Sequence, residues 1–183
     1  MTTYFAVPLA SLRFVSRRFR TSSQAIGAGT GLNLAHYPEN LERLVLAEPD
    51  EHLANRLERR LERLGRRAEI VRAPAELVPF HDDSFDTVVS TLVLCTVSDP
   101  ARSLEEIRRV LRPGGSMLFL EHVRSDKPRL ARWRDRLHDI WQSFADGCNC
   151  NRRTLELLSD HGFEVSVSER AEWRRIPAAL LAA

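Results

Sequence analysis

Three glycines in alternation carry the sharpest chemical signal: Gly27, Gly29 and Gly31 in the segment Ile26-Gly27-Ala28-Gly29-Thr30-Gly31. A glycine-rich turn between a strand and a helix lets the backbone approach a ligand closely and turns its N–H groups toward an anionic group. The dinucleotide fingerprint wants a further small residue at position 32, where Leu32 stands, so the pattern favours S-adenosylmethionine over a nicotinamide dinucleotide. Glu48 lies at the end of the next apolar run, Leu44-Val45-Leu46-Ala47. A carboxylate there can accept both ribose hydroxyl hydrogens of an adenosine; the alternative is a helix N-terminal acid, a role that Asp50 can fill instead.

Candidate acid–base groups are sparse. His122 follows an apolar run, Met117 to Leu120, and a neutral imidazole could take a proton near pH 7. Asp146, before Gly147, is a second candidate base, or a structural acid of a turn. The three cysteines are Cys95, Cys148 and Cys150. Cys148-Asn149-Cys150 places two thiols one residue apart, which is not the spacing of a zinc pair, and no second pair matches it. The histidines are scattered at 36, 52, 81, 122, 138 and 161, so no metal is expected.

These residues need a scaffold, and the apolar pattern supplies one. Strand-like runs cover 23–26, 44–47, 69–71, 85–90 and 117–123. Between them lie amphipathic stretches. Leu53, Leu57, Leu61 and Leu64 make one face of a helix from Asp50 to Leu64. Asp99 and Pro100 open a helix buried through Leu104, Ile107, Val110 and Leu111, and Arg112-Pro113-Gly114-Gly115 stops it. A further helix runs from Leu130 to Phe144, with Trp133, Ile140, Trp141 and Phe144 expected in the core. A short helix covers 154–160, and 163–168 alternates like a strand. Strands alternating with helices imply a parallel sheet covered on both faces, with ligands at the C-terminal ends of the strands.

Composition bounds the reading. The chain has 183 residues, 43% hydrophobic and 28% charged, with net charge +2, which suits one globular domain and gives no electrostatic reason to expect nucleic acid. No run of 18 apolar residues occurs, so no membrane-spanning helix is expected. Few cysteines and no secretory signal point to a reducing, cytoplasmic setting. Arg13, Arg17, Arg18 and Arg20 precede the first acid, Glu39, so residues 1–21 read as a basic arm, with a transit-peptide composition as the other reading, and 22–183 as the domain.

Further segments complete a resemblance: Ala75-Glu76-Leu77-Val78-Pro79-Phe80, Asp83-Ser84-Phe85-Asp86 and Leu111-Arg112-Pro113-Gly114-Gly115, in order after the glycine turn and Glu48. Together they resemble a class I S-adenosylmethionine-dependent methyltransferase of the type 11 group. Leu92 to Val97, Glu121-His122-Val123 and Asp146-Gly147-Cys148 are similar to its thiol methyltransferase-like branch and bacterial relatives. The resemblance implies an α/β fold, a three-layer Rossmann-like sandwich with a mostly parallel sheet and class I methyltransferase topology, truncated at both ends. It implies that Gly27, Ala28, Gly29 and Gly31 wrap the methionine end of S-adenosyl-L-methionine, that Asn33 bonds its carboxylate and that Glu48 holds the ribose. Ala75 and Glu76 would lie along the adenine; Ser90, Thr91 and Leu92 would flank the sulfonium; Cys95 and Thr96 would face the substrate. Ala25 stands where the family carries an acid for the cofactor's amino group. The expected activity is methyl transfer to a small molecule, a thiol or another apolar nucleophile. A degenerate cofactor-binding protein and an NAD(P)-dependent oxidoreductase are the alternatives. The sequence sets neither the acceptor nor the oligomeric state.

Overall fold

The computed structural model describes residues 19, 21–124, 128–139 and 147–167. Its frame is a five-stranded, fully parallel sheet in the order β3-β2-β1-β4-β5, formed by β1 (Ser22–Ile26), β2 (Arg43–Ala47), β3 (Glu69–Val71), β4 (Phe85–Thr91) and β5 (Leu111–Leu120). The helices are α1 (Glu51–Leu64), α2 (Pro100–Val110), α3 (Pro128–Arg136) and α4 (Thr154–Asp160), with a 3-10 turn at Leu32–His36.

The apolar run of β2 has the physical cause that the pattern implied, burial of both faces; β1 is equally buried although Ser22, Ser23 and Gln24 make up its first three residues. Ile26, Val45, Ala47, Val88, Met117 and Phe119 face one core, closed by Leu104 and Ile107 of α2 and Leu158 of α4. Ala25, Leu44, Leu46, Val89 and Leu118 alternate onto the other face, closed by Leu57 and Leu61 of α1 and by Leu34. The result is three layers, helix, sheet and helix. Helix α1 starts where the Asp50 side chain accepts the Leu53 N–H at 2.8 Å, and ends at Gly65 in the left-handed region. Asp99 caps α2 in the same way, accepting the Arg102 N–H at 3.0 Å.

Four expectations are corrected. The glycine turn leads into a five-residue 3-10 turn, with no α-helix after it. Pro38 is the reason: the residue before a proline is pushed out of the helical region, and Tyr37 sits at ψ 138. Strand β5 starts at Leu111, earlier than Met117: Leu111 pairs Phe85, the next four residues loop out, and pairing resumes at Ser116. It also ends at Leu120, before Val123. Trp133 is 59% exposed, since α3 turns this face to solvent; Ile140, Trp141 and Phe144 lie outside the described residues. Of the strand expected over 163–168, the described residues 163–167 hold a bridge at Glu164.

The strand order reverses between β1 and β4. The chain runs from β1 outward through β2 and β3, then returns to β4 on the other side of β1. Ile26 pairs Ser90 across this switch, so the loops after both strands lie side by side at the crevice where such sheets bind ligands.

Candidate active site at the strand switch

The first wall of the crevice is the glycine turn. Gly27, Gly29 and Gly31 all have positive φ, at 55°, 55° and 77°. At Gly31 the reason is packing as well as backbone: a Cβ there would meet Leu57 Cδ1 at 2.6 Å and Leu34 Cδ1 at 2.8 Å. At Gly29 a Cβ would meet nothing within 4 Å, so this glycine borders open space. The Ala28 N–H donates to the Ala47 carbonyl at 3.0 Å and ties the turn to β2.

Glu48, 4% exposed, lies against that turn. Its Oε2 accepts the Gly29 N–H at 2.7 Å and its Oε1 accepts the Asp50 N–H at 3.1 Å. A carboxylate offers about four lone-pair sites, so acceptor capacity remains on both oxygens. Asp50 has its own task at the helix cap, which separates the two acids that the sequence left interchangeable.

The second wall is the loop after β4. Leu92 holds φ 57, a conformation costing a branched residue roughly 1–2 kcal/mol. Glu121 fixes the next three residues of this loop. This buried carboxylate accepts the Ser90 hydroxyl at 2.6 Å and the Val93 and Leu94 N–H groups at 3.0 Å each, all on Oε1. Its Oε2 accepts the Cys95 N–H at 3.3 Å. Burial pushes the Glu121 pKa up; the hydrogen bonds from Ser90, Leu94, Val93 and Cys95 oppose it. Ser90 therefore turns its hydroxyl to Glu121, and Thr96 bonds back to the Val93 carbonyl at 2.9 Å. The Thr91 hydroxyl accepts Asn33 Nδ2 at 3.0 Å, which links the two walls and leaves Asn33 Oδ1 buried without a partner.

The expected adenine side is the loop after β3. Ala75 is buried, and the Glu76 carboxylate accepts the Asp99 N–H at 3.3 Å while its carbonyl accepts Arg102 Nε at 3.4 Å. This loop is pinned from below by Glu106, which accepts the Val78 N–H at 2.9 Å and is paired with Arg109 at 2.7 Å.

Cys95 does not open onto the crevice: it is fully buried, facing His122 and Cys148. His122 Nδ1 lies 3.1 Å from Cys148 Sγ and 3.7 Å from Cys95 Sγ. The Cys148 thiol beside it, then burial, push the Cys95 thiol pKa far up. Loop 147–152 docks here. Asn149 donates from its N–H and from Nδ2 to the Cys95 carbonyl, at 2.7 and 3.0 Å, and Arg152 Nη1 donates to the Leu94 carbonyl at 2.6 Å. Asp146 lies outside the described residues. A separate cavity of about 480 Å³, lined by Ala35, His36, Tyr37 and Arg66 among others, contains none of the expected site residues.

Glu121, Cys148, Asn149 and Arg152 were not legible as site residues. Their partners lie 26 to 58 positions away along the chain, so no local spacing marks them. The available signals were the position of Glu121 just beyond an apolar strand, the same that singled out Glu48, and the resemblance carried by Glu121-His122-Val123 and Asp146-Gly147-Cys148.

A putative methyltransferase from Bacillus halodurans has the same fold, with a TM-score of 0.75 at 20% identity, covering 85% of this chain and 68% of that one. Human thiol S-methyltransferase TMT1B is 36% identical over 149 residues, 79% of this chain and 61% of that protein. A demethylmenaquinone methyltransferase from Clavibacter sepedonicus is 33% identical over 134 residues, 73% of this chain and 51% of that protein. The chain thus spans about three-fifths of the length of the human relative and half that of the bacterial one. Residues 25–119, from β1 through the end of β5, match the methyltransferase domain, and with the strand order and the glycine–glutamate crevice in agreement, the chain belongs to the S-adenosylmethionine-dependent methyltransferase family.

Proposed function

We propose that the chain binds S-adenosylmethionine in the crevice between the β1 and β4 loops and supports methyl transfer to a small-molecule acceptor, a thiol first among the candidates. The observation that carries this reading is the Glu48 carboxylate, buried against the Gly29 N–H beside open space. Glu48 holds the ribose hydroxyls through its remaining lone pairs. Gly27, Ala28, Gly29 and Gly31 bring backbone close to the methionine end, and Ala75 and Glu76 flank the adenine.

Asn33 takes a different part from the one the resemblance implied. Its buried Oδ1 is an acceptor without a partner, and an acceptor suits the cofactor's ammonium group better than its carboxylate. It serves in place of the family's acid, where this chain has Ala25. Leu92, held in its strained conformation, and Thr91 border the methyl group.

The bound cofactor supplies an electrophilic methyl on a sulfonium. This chain's residues align the acceptor and exclude water, which contributes up to about 7–11 kcal/mol when the geometry is ideal. A thiol acceptor asks only for loss of its proton before attack, so the site needs no strong base. The thiol class is supported by the name of the human relative. Calorimetric titration with S-adenosylhomocysteine tests the reading, with micromolar affinity expected. Glu48→Ala is expected to weaken binding by about 1–3 kcal/mol, or 5- to 150-fold. No binding at millimolar ligand, or an unchanged Kd in Glu48→Ala, overturns the assignment.

A further inference from the structure

Three soft or borderline donors meet among the loops beyond β4 and β5, where Cys95 and Cys148 are buried. Cys95 Sγ, His122 Nδ1 and Cys148 Sγ all lie within 4.8 Å of one another, the one such group of three potential metal ligands among the described residues. They come from three separate loops, after β4, after β5 and before α4, so only the tertiary structure brings them together.

One of the two N···S edges has the length that a metal site sets, and the other is shorter. A tetrahedral zinc with Zn–S of about 2.3 Å and Zn–N of about 2.0–2.1 Å sets its N and S ligands about 3.6 Å apart. The two N···S separations here are 3.1 and 3.7 Å. Both thiols approach the same Nδ1, and the Cys95 and Cys148 thiols lie against each other. A cation at the centre of the triangle engages all three donors at once.

The triangle is held from outside, as ligand sets are. Glu121 accepts the Cys95 N–H, and Asn149, next to Cys148, donates twice to the Cys95 carbonyl. Thr154 Oγ1 lies 3.5 Å from the His122 carbonyl. Two cysteines and one histidine are a zinc donor set, and among the described residues these three stand together as one group.

We propose that Cys95, Cys148 and His122 form a binding site for one zinc-class divalent cation, ligated by both sulfurs and by Nδ1. On binding, two S–H bonds break, two metal–sulfur bonds form and two protons leave to solvent; no electrons are exchanged. The site does not depend on the cofactor reading, since metal content and S-adenosylhomocysteine binding are read separately.

The test is titration of the reduced, full-length chain with Co²⁺ under argon, followed by displacement with Zn²⁺. One equivalent is expected, giving sulfur-to-cobalt charge-transfer bands and the intense d–d bands of tetrahedral cobalt, both abolished by one equivalent of Zn²⁺. Cys148→Ser and His122→Ala are expected to lose the charge-transfer intensity or the stoichiometric binding, and Cys150→Ser to keep both. X-ray absorption at the zinc edge of the wild type needs no variant to fold; two sulfur scatterers at about 2.3 Å and one or more nitrogen or oxygen scatterers are expected. A weak octahedral cobalt spectrum overturns the proposal. So do charge-transfer bands of undiminished intensity in Cys148→Ser, and a zinc shell without sulfur.

Discussion

Removing the Glu121 side chain is expected to be among the most damaging single changes in this chain. Alanine at 121 would strand the Ser90 hydroxyl and the N–H groups of Val93, Leu94 and Cys95, now held at 2.6, 3.0, 3.0 and 3.3 Å. A stranded buried donor costs about 1–3 kcal/mol, and four sharing one acceptor are not additive. Removing a carboxylate that burial already disfavours offsets part of the loss. The net expectation is about 3–5 kcal/mol, a large share of the roughly 5–15 kcal/mol that holds a domain together. Glutamine is the control. Its Oε1 keeps the three bonds now on Oε1 and loses only the Cys95 bond, where an NH₂ would face an N–H, for about 1–2 kcal/mol. Urea unfolding followed by circular dichroism at neutral pH reads both values. A second readout comes from pH. Because burial raises the folded pKa of Glu121, the folded state holds more protons than the unfolded one at pH values between the unfolded and the folded pKa. The wild type therefore loses stability as pH rises through that window, Glu121→Gln does not, and the gap between them narrows. Glu121→Ala within about 1 kcal/mol of the wild type, or Glu121→Gln as unstable as Glu121→Ala, refutes the claim that this carboxylate fixes the loop.

Other outcomes concern single sites. Gly31→Ala combines a positive φ with contacts of 2.6 and 2.8 Å and is expected to lose about 2–4 kcal/mol of stability. Gly29→Ala meets open space, so it is expected to lose only about 1–2 kcal/mol of stability while reducing S-adenosylhomocysteine affinity at least tenfold; thermal shift and calorimetry together separate the two. Gln24 is fully buried in β1 with both amide atoms unpartnered, so Gln24→Met, close in volume, is expected to stabilise by about 1–3 kcal/mol; a lowered melting temperature counts against this. The Arg109 guanidinium, opposed by partial burial, holds the Glu106 pKa below 4.5. That pair's contribution is complete above the unfolded carboxylate value and is lost as pH falls through the folded one, so Glu106→Gln should flatten the acid limb of the stability curve. An unchanged acid limb in that variant shows that the pair is not the cause.

Much of the fold was legible because its causes are local. Leucines at helical spacing behind Asp50, the Asp99-Pro100 start and the short runs of β-branched and leucine residues each act within one turn or one strand. Where the expectation failed, a neighbour in the chain or in space had the casting vote. Pro38 shortened the turn after Gly31, and pairing with Phe85 drew Leu111 into β5 ahead of the looped Pro-Gly-Gly.

The candidate site divides the same way. Gly27, Gly29, Gly31 and Glu48 could be read from sequence because a loop against a strand end needs those residue types at short range. The other half is built from residues that share no local pattern. Glu121 reaches back to the loop after β4, Asn33 crosses to Thr91, and Cys148 arrives from a third loop at His122 and Cys95. Hydrogen bonding and metal-ligand chemistry depend on distances of about 3 Å in space, and those are set by the sheet order and the docking of loops on it, which sequence spacing does not encode.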